Sequence, residues 1–268
     1  MRNFLNLTHL VGSIALGVIY CLAFSPFEWW PVGLLAMCGF FYLLLVSPRP
    51  LLLAWCFGLG KYGLGASWVY VSINVYGQAP PLLALFLVSI FVSGMALFCI
   101  PIGWVAGHTR RRGLSPGWVL FSAAMGWVLM DWLLTWFLTG FPWLFIGYAM
   151  VGTLIGEFAG LIGVLGINAL VAIMCAALVW QLQRRQFHPV ASGLIVLPWL
   201  LGLMLVPLSW TDAEASRKVT LVQGNLDQAV KWNADQRLPN WDKHAALTEP
   251  HWDSDLIVWP EAAVTMFP

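Results

Sequence analysis

The feature that most constrains this chain is a succession of apolar stretches, each near the roughly 20 residues needed to cross a hydrocarbon core about 30 Å thick. Seven are read from the sequence, over residues 7–24, 30–47, 50–68, 81–106, 116–136, 152–180 and 189–210. In lipid, a segment of this kind must satisfy its own backbone polar groups, and a helix does so. Composition agrees. Hydrophobic residues make up 60% of the 268, charged residues 9%, and the mean hydropathy is +0.79, whereas a soluble domain carries about 25% charged residues. Disorder, a disulfide scaffold and a nucleic-acid partner are therefore disfavoured.

Charge divides the chain in two. Residues 1–210 hold three acidic residues, Glu28, Asp131 and Glu157, while residues 211–268 hold the other nine of the twelve. The expected organisation is a transmembrane helical bundle over 1–210 and a polar domain over 211–268. Outside the polar part, the arginines are Arg2, Arg49, Arg110, Arg111, Arg112, Arg184 and Arg185. Each lies at the N-terminus or after an even-numbered span, a positive-inside pattern that predicts a cytoplasmic N-terminus. Seven crossings then put the tail on the opposite side, which in a bacterium is the periplasm or exterior. The first run reads as an uncleaved anchor, because the small-residue pair Ala23 and Ser25 would place Pro26 just after the cut and Cys21 follows the bulky Tyr20.

Cys21, Cys38, Cys56, Cys99 and Cys175 all fall within apolar spans, where a thiol packs as a small hydrophobe and lacks the electropositive setting of a nucleophile. No cysteine spacing or glycine loop indicates a metal, nucleotide or organic cofactor, so none is expected. Lys61, Asp131 and Glu157 stand out as ionisable residues at membrane depth, where such groups are costly. Each also has a bland account. Lys61 could snorkel or pair locally, Asp131 sits near a span end, and Glu157 could cap the sixth span. Many of the 17 tryptophans, among them Trp29, Trp30, Trp68, Trp118, Trp180 and Trp210, fall at span ends as an interfacial belt does.

Two aromatic loops lie on the side away from the arginines. Leu138-Thr139-Gly140-Phe141-Pro142-Trp143-Leu144 suits the headgroup level, where a lipid-handling surface or a plain capping loop would sit, and Gly65-Ala66-Ser67-Trp68-Val69-Tyr70-Val71-Ser72-Ile73 is a second such segment. In the tail, Val219-Thr220-Leu221-Val222-Gln223-Gly224 and Asp255-Leu256-Ile257-Val258-Trp259-Pro260-Glu261 read as buried strands of an α/β domain. About 30 residues separate them, enough for a crossover helix. Pro239 limits the trusted part of that helix to about 239–249. Glu261 follows the second strand directly, the position where open α/β sheets place their chemistry, although a surface glutamate is the common alternative. A single βαβ unit cannot cover both sheet faces, and Val222, Ile257 and Trp259 are expected to be left exposed.

Taken in order, several segments resemble the bacterial apolipoprotein N-acyltransferases, whose periplasmic domain belongs to the nitrilase superfamily. They are Leu22-Ala23-Phe24-Ser25-Pro26, Trp68 with Val69-Tyr70-Val71-Ser72-Ile73, Leu138 to Trp143 with Gly147-Tyr148, Gln223-Gly224-Asn225 with Gln228, Lys231 and Trp232, and Leu256 to Glu261. The resemblance implies an α-helical polytopic membrane bundle of about seven transmembrane helices, followed by an incomplete nitrilase-like α/β domain. It also implies residence in the bacterial inner membrane, a phospholipid acyl donor and a diacylglyceryl lipoprotein acceptor. The reaction would pass an acyl chain through a cysteine thioester to the acceptor's N-terminal amine. Such an enzyme uses a Glu-Lys-Cys triad. By motif, Glu261 matches the general base, Trp232 the tryptophan of a substrate-facing loop, and Phe141 and Trp143 substrate-binding positions; Lys231 belongs to the loop motif and is not the catalytic lysine. The catalytic lysine and cysteine have no counterpart here, so the chain reads as truncated and inactive by itself. It would be half of a split enzyme that needs a complementing polypeptide, or a non-catalytic membrane module binding phospholipid or lipoprotein.

Overall fold

A computed structural model describes residues 2–185, 187–212 and 214–265, with side chains from residue 7 onward. The chain forms two compact units, Met1–Leu208 and Ser209–Pro268.

The first unit is helical. Its elements are α1 (Arg2–Tyr20), α2 (Trp30–Val46), α3 (Pro50–Gly65), the single turn α4 (Val69–Val71), α5 (Pro81–Leu97), α6 (Ile100–Arg111), α7 (Pro116–Trp136), α8 (Ala159–Arg184) and α9 (Pro189–Leu205). Proline fixes many of these starts: α2, α3, α5, α6, α7 and α9 each carry one in the first turn, where its missing N–H costs nothing. Among the described residues, three stretches are long and apolar enough to cross a membrane by length and composition: Pro81–Arg111, Pro116–Thr139 and Gly156–Arg184. Leu7–Ala23, Trp30–Val46 and Pro189–Leu205 are shorter apolar helices.

Two of the expected spans are subdivided. The run read as 81–106 breaks at Phe98 and Cys99 into α5 and α6, just before Pro101. The run read from residue 152 begins with a 3₁₀ turn over Gly156–Phe158, another 3₁₀ turn over Ile146–Met150 precedes it, and α8 bends at Gly163, whose φ of 61° is non-helical. Glu157 sits in that last turn before α8, partly buried, where a carboxylate is favoured by the helix dipole.

Aromatic rings fill the centre. Trp127 is fully buried against Tyr20 (5.6 Å between ring centroids), Phe57 (5.7 Å) and Phe41 (6.0 Å), and Phe40 stacks on Phe57 at 4.2 Å. α1 and α3 touch backbone to backbone. A Cβ on Gly60 would lie 2.1 Å from the Ile14 carbonyl oxygen, and one on Gly17 would lie 2.1 Å from that of Phe57, so small residues set this contact as they do in membrane helix pairs. Large apolar side chains cover the periphery, including Leu82, Leu85, Phe86 and Ile90 of α5 and Leu200, Leu203 and Met204 of α9, all more than half exposed. Lipid, not water, is the solvent that tolerates such a surface.

The second unit holds β1 (Val219–Leu221), α10 (Arg237–Thr248) and β2 (Leu256–Val258). The strands pair in parallel with Val219 opposite Leu256, Thr220 opposite Ile257 and Leu221 opposite Val258, the pairing that a crossover helix allows. α10 starts two residues before Pro239, which is accommodated in the first turn. The expected exposed face is corrected by the structure. Val222 is buried, and Ile257 and Trp259 are partly buried, whereas Val219, Leu221, Leu256 and Val258 are exposed. Successive strand residues point to opposite faces, and α10 covers the face of Val222 and Trp259: Trp241 of α10 meets Trp259 at 5.3 Å.

Candidate functional site

At the end of the first unit opposite its arginines, the connections after α1, α3 and α7 enclose a cleft of about 1160 Å³. Cys21, Phe24, Ser25, Glu28, Trp68, Phe141, Trp143 and Thr153 are among its lining residues. The two aromatic loops singled out in the sequence therefore meet here, together with the Leu22–Pro26 segment. The indole N–H of Trp143 donates to the Gly65 carbonyl at 2.9 Å, and its ring lies 5.6 Å from that of Trp68 and 6.0 Å from Phe141. The Tyr20 hydroxyl donates to the Leu144 carbonyl at 3.0 Å, pinning the same loop to α1. Gly140 makes the sharp return after α7 with φ 83°, a conformation open to glycine; a Cβ there would also meet the Thr135 carbonyl oxygen at 2.6 Å.

Phe141 also lines a second, apolar cavity of about 720 Å³ with Phe91, Met95, Phe98, Leu133 and Phe137. Its ring meets Phe91 edge-on at 5.6 Å. One side chain thus stands between a cleft with polar groups at its rim, Ser25, Glu28 and Thr153, and a greasy chamber between α5 and α7. Of the five cysteines, all of them buried and free, Cys21 reaches the cleft, and its thiol donates to the Lys61 carbonyl at 3.1 Å.

Behind the cleft lies a polar group deep in the bundle. The Asn168 amide donates to Asp131 Oδ2 at 2.8 Å, and its carbonyl oxygen accepts from the Gly147 backbone N–H at 2.6 Å. Asn168 is fully buried and Asp131 is 1% exposed. Lys61 does not snorkel: it is fully buried, with Nζ 5.3 Å from the ring centre of Tyr20, 5.1 Å from Tyr62 and 5.5 Å from Trp127. Neither Lys61 Nζ nor Asp131 Oδ1 has a hydrogen-bond partner among the described residues. Asn168 was not singled out from the sequence, although a polar residue in the middle of a long apolar run carries the same signal as a charge there.

In the second unit, Glu261 is exposed in the turn after β2, next to Ala262, whose φ of 52° is left-handed. Lys231 Nζ donates to the Glu261 carbonyl at 3.3 Å and lies 5.9 Å from the Trp232 ring, which is 56% exposed. The segments 223–232 and 256–261 are thereby brought together. The Asn240 amide donates to the Lys231 carbonyl at 3.0 Å, and His244 lies under Gly224, where a Cβ would meet the imidazole at 2.7 Å. Thus Phe141 and Trp143 line one cleft in the first unit, and in the second unit Lys231 bridges the segments that carry Trp232 and Glu261.

Comparison with known proteins places these motifs. The family model for the apolipoprotein N-acyltransferase N-terminal domain matches residues 16–177. Relatives named apolipoprotein N-acyltransferase include one from Vibrio cholerae, 34% identical and covering 96% of this chain and 51% of the relative. One from Coxiella burnetii is 36% identical (96% and 54%), and one from Pseudomonas aeruginosa is 38% identical (96% and 51%). The chain spans about half the length of these relatives. With its apolar helices and a match over most of the first unit, the chain is a membrane protein that belongs to the apolipoprotein N-acyltransferase family.

Proposed function

We propose that this chain supplies the membrane half of a lipoprotein N-acyltransferase, together with the first βαβ unit of its nitrilase-like domain. Seven crossings, an N-terminus in the cytoplasm and a second unit in the periplasm of a bacterial inner membrane complete this reading. The observation that carries it is the cleft built from the family-like loops: an amphipathic site at a headgroup-level end of an apolar bundle, joined through Phe141 to an apolar chamber suited to an acyl chain.

The chemistry follows from the groups that acyl transfer needs. Glu261 takes the proton of a cysteine thiol, the thiolate attacks a phospholipid ester carbonyl, and the ester C–O bond breaks to release a lysophospholipid, which takes up the proton. The N-terminal amine of a diacylglyceryl-cysteine then attacks the thioester, losing a proton and freeing the thiol. A lysine stabilises both oxyanions. The five cysteines of this chain are buried in the bundle, which supports a reading in which the acyl-carrying thiol comes from a complementing polypeptide or from sequence beyond residues 1–268, and the oxyanion lysine is assigned there with it. The burial of all five also favours a second reading, a module that binds phospholipid or lipoprotein without catalysis.

Mass spectrometry of a lipoprotein's N-terminal peptide decides between them, in cells depleted of their own N-acyltransferase and expressing this chain with or without the polypeptide encoded immediately downstream. A third acyl chain that requires both polypeptides supports the enzyme half. Its absence in both arms, with phospholipid still bound by the purified chain, supports the module.

A further inference from the structure

The opposite end of the bundle carries a separate feature. There α7, α8 and α9 leave a groove of about 410 Å³ lined by Gly117, Trp118, Ala176, Ala177, Trp180 and Leu194, with Ser115 and Val190 at its rim. Small residues make the room: a Cβ on Gly117 would lie 3.0 Å from the Trp180 ring. Trp180 joins this apolar trough to positive charge. The Arg184 guanidinium lies 5.5 Å from its ring centre and the His188 ring 4.2 Å from it. Arg185 follows in the same connection, and Arg112 stands three residues before Ser115; Arg112, Arg184 and Arg185 are all exposed.

Among the described residues of the first unit, no acidic side chain forms an ion pair with that charge. The three acidic residues of 1–210 are Glu28, in the cleft at the other end, Asp131, buried on Asn168, and Glu157, ahead of α8. Among the described residues both ion pairs, Arg217 with Asp255 and Lys218 with Asp253, lie in the second unit. Arg110 differs from its neighbours, since its guanidinium is engaged with the carbonyls of Leu44 and Leu45 at 3.1 and 3.0 Å.

We propose that this groove is a binding site for an anionic phospholipid, with one acyl chain along Ala176, Ala177 and Leu194 and the phosphate against Arg184, Arg185 and Arg112. An apolar trough between helices that ends in unpaired arginines is complementary to a negatively charged headgroup on a hydrocarbon tail. A zwitterionic lipid fills the trough but brings a phosphate whose charge is offset by its own ammonium, and a soluble phosphate matches the arginines alone. This site is independent of the acyl-transfer reading, because it lies at the other end of the helices and uses none of the cleft residues.

The test is native mass spectrometry of the full chain in detergent, titrated with phosphatidylglycerol or with phosphatidylcholine of the same acyl chains. Phosphatidylglycerol adducts are expected at about fivefold lower lipid concentration per arginine engaged, the size of a basic residue's effect at an anionic membrane surface. Arg184→Ala with Arg185→Ala should erase the preference. Val190→Trp, at a position 59% exposed on the rim, should weaken phosphatidylglycerol binding without disturbing the core, and Ala177→Phe should do so from inside the groove. Equal retention of the two lipids overturns the proposal, as do unchanged adducts in both groove variants or displacement of the lipid by millimolar glycerol phosphate.

Discussion

The side-chain amide of Asn168 donates to the carboxylate of Asp131 at 2.8 Å while its carbonyl oxygen holds the Gly147 N–H at 2.6 Å, so one α8 residue ties α7 to the loop that lines the cleft. Asn168→Ala leaves a carboxylate oxygen and a backbone N–H without this partner in a site closed to water. Each buried polar group so orphaned costs about 1–3 kcal/mol, although interhelical hydrogen bonds in membranes often measure below 2 kcal/mol. A loss of about 2–3 kcal/mol is expected. Asp131→Asn, which keeps an acceptor for the amide, should cost less than half of that. The five buried thiols provide the readout: thermal unfolding in detergent followed with a thiol-reactive fluorophore. Equal melting of Asn168→Ala and the parent protein would remove this tie from the account.

Lys61 is held by charge as well as by rings. Its fully buried ammonium faces three aromatic rings, an attraction of about 2 kcal/mol when desolvated, and Asp131 is an opposite charge that acts on it inside the same core. Removing one member of a buried pair of charges costs about 3–5 kcal/mol, whereas replacing both by uncharged groups of similar volume is often neutral or stabilising. Lys61→Met should therefore melt below the parent in the same thiol assay, and Lys61→Met with Asp131→Asn should recover part of that loss. Lys61→Met melting at or above the parent temperature would show that the charge contributes nothing to the bundle.

Much of this architecture was legible because the sequence marks it with residues whose effect is local. Apolar runs announce the helices, arginines the polar end, and the two aromatic loops the cleft, since each acts through the cost of leaving water; the prolines that open six of the helices carry a similar signal and were not singled out. What stayed hidden depends on three-dimensional placement. An apolar run from residue 152 reads as a span, yet Gly152 and Gly163 take φ values of 76° and 61°, and hydropathy is silent on backbone conformation. Lys61 was expected to snorkel or pair locally, and only the packing of α1, α3 and α7 shows that it does not snorkel and that its local partners are the rings of Tyr20, Tyr62 and Trp127. In the second unit both runs were read as buried strands, and choosing the bare face required knowing which side α10 lies on. Val219, Leu221, Leu256 and Val258 are bare there, although Val222, Ile257 and Trp259 were the expected ones.

Acid should loosen the mouth of this small sheet. The Lys218 ammonium, paired with Asp253 just outside β1 and β2, holds that carboxyl below the usual carboxylate range. A group whose folded value is depressed contributes stability that is complete above its unfolded pKa of about 3.9 and is lost as pH falls through the lower folded value. Asp253 is fully exposed, so the contribution is small and salt-sensitive. Carbon-detected NMR titration of the Asp253 carboxyl should give a midpoint below the usual carboxylate range, moving upward in Lys218→Met. A midpoint that does not respond to that substitution would assign the shift to another group.

The sharpest demand on the proposed chemistry falls on Glu261. Its exposure and its place in a turn beyond β2 mean that Glu261→Gln removes a proton acceptor without removing packing. In cells where this chain, with its complementing polypeptide, restores a third acyl group to lipoproteins, Glu261→Gln should reduce that product at least about 100-fold, the lower bound for losing a positioned general base. The protein should accumulate to the parent level. Trp143→Ala and Phe141→Ala act on binding, and loss of an aromatic anchor of about 1–2 kcal/mol predicts a 5- to 30-fold fall that added phospholipid partly restores. If Glu261→Gln retains full acylation while the cleft variants fail, the bundle is a lipid-binding module whose partner brings all of the catalytic groups.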